Sequence, residues 1–209
     1  MYDVSVPMAL VDFIPVAFFA VAAVLLQKDL YHHMPKYSFA CFAAGTIDIM
    51  LAGFLKALWK LLYALGVCDF QALNTMFLPV QSVGFLLAGL GLILMLTKKR
   101  SGSAALAVAP PVFRGTFVFI SMMVLGLGAI CACLSIVAAR LKKHGLIVLF
   151  VLSFVCSMGM GYLSGRDSTA ASVNWIEQGV NCVGQGLFLL GTLGLHRADL
   201  RHKRLSRAH

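Results

Sequence analysis

Charge is scarce in this chain. Only 12% of its 209 residues are charged, with 8 Asp and Glu against 17 Lys and Arg, whereas a soluble domain carries about 25% charge. Apolar residues reach 60% and the mean hydropathy is +0.90. A soluble domain and a disordered chain are excluded on these numbers, because the surplus apolar surface needs lipid as its solvent. Histidine is absent from the apolar runs. His32, His33, His144, His196, His202 and His209 all lie in loops or at run ends, so axial ligands for a transmembrane haem are missing. Also missing are a zinc-hydrolase motif, a Gly-rich phosphate loop and a nucleophile elbow. Gly161-Tyr162-Leu163-Ser164-Gly165 misplaces the serine and reads as a small-residue packing face. Catalytic residues, a metal site and a cofactor are therefore not expected.

The net charge of +9 does not signal nucleic acid. The cations fall in short clusters between apolar runs, such as Lys98-Lys99-Arg100 and Arg140 with Lys142 and Lys143. No basic groove interleaved with aromatics accompanies them. Such clusters meet lipid headgroups. The expected partners are membrane lipids and a small solute, with no nucleic acid; the oligomeric state is left open.

Of the six cysteines, five sit inside apolar runs and read as small buried hydrophobes. Cys131 and Cys133, two apart, point to different faces of a helix. Met122, Met123, Met158 and Met160 beside them suit a soft metal, but core packing is the better account.

Six stretches are long enough to span a bilayer, which takes about 20 helical residues: 5–27, 38–64, 73–97, 115–139, 145–164 and 173–195. The first has no basic leader and reads as a retained helix. The expected fold is all-α, a polytopic integral membrane bundle of about six transmembrane helices, in a plasma membrane or bacterial inner membrane. Lys56, Trp59, Lys60 and Tyr63 form an aromatic-basic girdle, expected at an interface with the lysines snorkelling.

An internal repeat is visible at an offset of 100 residues. Asn74, Val80, Val83, Gly84, Leu87, Leu90 and Gly91 recur as Asn174, Val180, Val183, Gly184, Leu187, Leu190 and Gly191. The implied organisation is a three-helix repeat over 1–100, a linker over 101–114, a second repeat over 115–197 and a basic tail over 198–209. Leu51-Ala52-Gly53 matches Leu163-Ser164-Gly165 more loosely. Paired three-helix repeats resemble the architecture of the PQ-loop and SWEET transporters, which implies halves made parallel by a linker helix. The resemblance stops at architecture, since Val80 separates Pro79 from Gln81 and the second half has no proline.

Two arguments about topology conflict. Six crossings put seven cations on one side and ten on the other; if the linker also crosses, the split is 13 against 4, a clear positive-inside pattern. Thirteen helical residues, 101–113, reach only about 20 Å, so six crossings are expected. Lys28 and Lys36 then lie opposite Arg140.

The polar stripe of the sixth stretch carries the functional expectation. Asn174, Glu177 or Gln178, Asn181 and Gln185 recur at helical spacing within a stripe about 100° wide. Gln71, Asn74 and Gln81 repeat it on the third. Pro79 and Gly179 stand as helix breakers at matching positions beside the stripe, a pointer to a transporter site. The substrate-binding candidates are Asn74, Gln81, Asn174, Gln178, Asn181 and Gln185. Asp48 and Glu177 are candidates for proton or cation coupling, with Asp48 alternatively paired to Lys56 and both Asp12 and Glu177 alternatively interfacial. The expected function is a small transporter or channel for an unidentified small solute, with its site between the third and sixth helices. The alternative is a non-catalytic scaffold or partner-binding subunit whose amides hold helices together. A lipid enzyme using Asp48 is weaker, for want of a second catalytic group.

Overall fold

The computed structural model describes residues 5–97, 116–164 and 171–200. The described residues form α1 (Val6–Val11), α2 (Phe13–Leu30), α3 (Lys36–Ala64), α4 (Gln71–Thr75), α5 (Phe77–Leu96), α6 (Thr116–Arg140), α7 (His144–Ser164) and α8 (Ala171–Arg197), with no strand among them. Five segments are long and apolar enough to cross a membrane: Val6–Leu30, Lys36–Ala64, Gln71–Leu96, Thr116–Arg140 and His144–Leu163. At 27 residues α8 is about 40 Å long, also enough, but its polar stripe lowers its hydropathy. The protein is thus a multi-pass helical membrane bundle. The linker, and residues 201–209 of the tail, lie outside the described residues.

Two segments are broken for one reason. Proline has no N–H for the carbonyl four residues back and its ring clashes there. Four residues before Pro15 is Val11, where α1 ends; four before Pro79 is Thr75, where α4 ends. Pro15 and Pro79 then occupy the third position of α2 and α5, where a missing N–H is harmless. The matching break expected at Gly179 is absent: α8 runs unbroken through it. Glycine lowers helix propensity but keeps its N–H and fits any turn, so it breaks a helix far less readily than proline does.

The six spans form a closed ring in the order α2, α3, α5, α6, α7, α8, with α8 returning to α2. Paired contacts fix the directions. Asp12 meets Lys60 and Gln27 meets Thr46, so α2 and α3 are antiparallel. Gly91 packs on Ser38 and Phe42 while Lys56 reaches Phe77, so α3 and α5 are antiparallel. Phe19 stacks on Phe188 and Asp29 binds His196, so α2 and α8 are parallel. Gly184 meets Cys156, Gly191 meets Phe150 and Gly194 meets Leu146, so α7 and α8 are antiparallel. The α6–α7 turn is tight, closed by Lys142 at φ 57° and by Lys143 N–H on the Ala138 carbonyl at 2.9 Å.

It follows that α5 and α6 run in the same direction. Gly89 approaches Gly126 and Ala129 while Phe85 approaches Gly126, which agrees. This corrects the expected sidedness. Lys28, Lys36, Arg140, Lys142, Lys143 and Arg197 share one end, and only Lys56 and Lys60 of the described Lys and Arg lie toward the other. The end of α5 and the start of α6 therefore lie at opposite ends of the bundle. The expectation that Lys28 and Lys36 lie opposite Arg140 is thus not met, because the directions of α5 and α6 bring all three to one end.

Packing differs between the two ends. Every residue of the buried hydrophobic cluster, from Phe19 and Leu26 on α2 to Leu195 on α8, lies from about mid-helix to the basic end. Cys131 and Cys133 belong to this cluster, as expected of buried hydrophobes. Here glycines bring backbones together: a Cβ on Gly91 would fall 2.8 Å from the Ser38 carbonyl, which also accounts for the Ser38 hydroxyl donating to the Gly91 carbonyl at 2.6 Å. Toward the far end the polar residues gather.

Candidate functional site

Three parts of the chain contribute charge at the far end: the α1–α2 break, α3 and α8. Asp12 sits at the α1–α2 break, and its Oδ2 is 2.6 Å from Lys60 Nζ. Both side chains are 14% exposed, so the pair is shielded and Lys60 is held by Asp12. One turn along α3, Lys56 Nζ lies 4.0 Å from the centroid of Phe77 at the start of α5. Lys56 does not pair with Asp48. It stands one turn from Lys60 on the same face of α3 and forms no salt bridge with a described residue. Glu177 and Gln178 approach from the first turns of α8. Glu177 Oε1 is buried with no hydrogen bond, and Gln178, 4% exposed, leaves both Oε1 and Nε2 without a partner. Such groups cost about 1–3 kcal/mol each when left unsatisfied away from water. The buried charges help explain why the hydrophobic core stops short of this end.

Below this cluster the bundle is closed by rings. Phe19 of α2 stacks on Phe188 of α8 at 6.0 Å, and Phe188 meets Phe150 of α7 edge-on at 5.8 Å. The arrangement is a charged, incompletely satisfied layer over an apolar floor.

The candidate residues distribute unevenly about it. Glu177 and Gln178 are in the layer. Asn181 and Gln185 continue along α8 toward the floor, both partly buried, and Asn174 is partly buried in the first turn of α8. Gln81 is partly buried in the far half of α5, and Asn74 lies on the short α4. Gln81 and α8 are not brought into contact, since α5 and α8 stand across the ring. Asp48 is mid-way along α3 beside Gly84, apart from the charged layer, with no salt bridge to any described residue.

Sequence reasoning missed the charge pair at the basic end. Asp29, whose side chain is 3% exposed, accepts from His196 Nδ1 at 3.0 and 3.1 Å. The neighbouring His33 Nε2 donates to the Leu200 carbonyl at 2.7 Å, tying the end of α8 to the α2–α3 loop. A signal was present: Asp29 falls on the buried stripe Phe19, Ala22, Ala23, Leu26 and Leu30, where an acid needs a partner. Ending the first stretch at residue 27 concealed it. His196→Ala should cost about 1–3 kcal/mol, because it strands a buried carboxylate. Adding Asp29→Asn should restore part of that. Thermal unfolding of the two variants and the parent would check it; an unchanged midpoint for His196→Ala would rule the latch out.

Two grooves lie elsewhere, and the residues of the charged layer line neither. One of about 530 Å³ is lined by Val24, Gln27, Lys28, Tyr31, His32 and Phe39. The other, about 340 Å³, is apolar and lies between α2 and α3 around Phe13 and Phe54. No family model, no curated protein and no solved structure matches the chain.

Proposed function

We propose that the protein is a small-solute transporter or channel whose site is the charged layer at the far end of the bundle. The observation that carries this is Gln178, buried with its whole carboxamide unpaired. Interhelical glue would have its hydrogen bonds made; a group that receives a solute is free until the solute arrives. Asn181, Gln185, Gln81, Asn174 and Asn74 extend the lining, and Asp48 and Glu177 are the coupling groups in this reading. The basic end faces the cytoplasm of a plasma or bacterial inner membrane, so the layer opens outward and the aromatic floor closes it inward.

The two halves act as parallel repeats in this reading. What supports this is the match of helix order and direction: α2, α3, α5 and then α6, α7, α8 follow one another round the ring with the same sequence of directions. Equivalent glycines also meet equivalent partners. Gly91 packs on Phe42 and Gly191 on Phe150, both phenylalanines fully buried. Gly84 packs on Gly45, Asp48 and Ile49, and Gly184 on Ser153, Cys156 and Ser157. The second helices therefore correspond at an offset of 108, not through the looser Leu51–Leu163 match. Parallel repeats relate the halves by an axis along the membrane normal, with the site near it.

Gln178→Leu separates site from glue. In a site it removes an unsatisfied amide, so thermal stability should hold or rise, while solute-dependent stabilisation and flux into proteoliposomes disappear. Glue predicts the reverse, a loss of about 0.6 kcal/mol with activity falling only as folded protein does.

A further inference from the structure

The charged layer also indicates which solutes it takes, an inference that rests on its being a solute site. Lys60 and Asp12 neutralise each other at 2.6 Å. Lys56 and Glu177 do not: neither forms a salt bridge with a described residue. Yet Lys56 stands one turn from the Lys60–Asp12 pair, and the packing of Phe18 on Gly186 and Phe19 on Phe188 sets the start of α8, with Glu177, beside the start of α2 that carries Asp12. One cation and one anion thus face the same region without closing on each other. Phe77 supports the Lys56 ammonium through its ring. Gln178, next to Glu177, has an N–H donor pair and a carbonyl oxygen, both unbonded, able to complete either a carboxylate or an ammonium.

We propose that the layer binds a zwitterionic solute of the amino-acid class, its carboxylate drawn to Lys56, its ammonium to Glu177, and Gln178 completing the hydrogen bonds. The four charges Asp12, Lys56, Lys60 and Glu177 sum to zero, so a solute of zero net charge keeps the layer neutral. A lone anion or cation would leave one protein charge uncompensated in a low-dielectric surround. A sugar would leave two.

The test uses the full chain in lipid nanodiscs. Thermal midpoints are read against alanine, leucine and glutamine, their methyl esters (ammonium only), their N-acetyl forms (carboxylate only) and glucose. At least one free amino acid should stabilise, with its ester and N-acetyl form binding at least about tenfold more weakly, as expected for loss of a charge-assisted hydrogen bond. Lys56→Met should weaken the amino acid and the N-acetyl form but not the ester. Glu177→Gln should weaken the amino acid and the ester but not the N-acetyl form. Misfolding would not produce that crossed pattern. If glucose or a singly charged analogue stabilises as strongly as every amino acid, and Gln178→Leu abolishes it, the zwitterion assignment falls while the solute site stands. If no solute stabilises and Gln178→Leu lowers the midpoint, the site reading falls and takes this inference with it.

Discussion

Gly126→Val should destroy the folded bundle. Gly126 lies where α6 meets α5, and a Cβ placed there would run into the backbone of Phe85 and Leu86. Overpacking against movable side chains typically costs about 1–3 kcal/mol; here the obstruction is main chain held inside a helix, so the cost should reach or exceed the top of that range. The damage would spread, because Phe85, Leu127 and Ile130 belong to the same buried cluster. Gly179→Val is the matched control. A Cβ at Gly179 meets nothing within 4 Å, and replacing glycine in a helix removes a propensity penalty of up to about 1 kcal/mol. The expected result is a Gly126→Val protein that fails to elute as a monodisperse species or loses its unfolding transition, beside a Gly179→Val protein like the parent. Equal stability of the two would mean that α5 and α6 do not cross at Gly126.

The second large effect is all-or-none labelling. Cys68 lies in the exposed loop after α3 and is the only one of the six cysteines that is exposed and neither buried nor half-buried. It should react with a membrane-impermeant thiol reagent in intact cells. In a Cys68→Ser background, Lys36→Cys and Lys142→Cys should both stay unlabelled until the membrane is permeabilised. The helix directions put positions 36 and 142 at one end and Cys68 at the other, and the proposed orientation, with the cation-rich end in the cytoplasm, predicts this pattern. Labelling of positions 36 and 142 from opposite sides would overturn the parallel course of α5 and α6. Labelling of both from outside would keep that course and invert the molecule.

Hydropathy and spacing determined that the chain is a helical membrane bundle, and placed its long helices to within a few residues, because an apolar run of that length is stable only as a helix in lipid. The same pattern placed Gln178 and Glu177 on one polar face of α8, since that reading needs only the helical repeat. What the tertiary structure decided was which charges meet. Lys60 finds Asp12 from 48 positions away, Asp29 finds His196 from 167 away, and the repeat of amides gave no hint of either. Side-chain periodicity reports a residue's face on its own helix and says nothing about its neighbour, which depends on ring order and direction. Those depended in turn on where backbones touch, at Gly91 on α3 and at Gly126 on α5, contacts between residues far apart in the chain that no local pattern encodes.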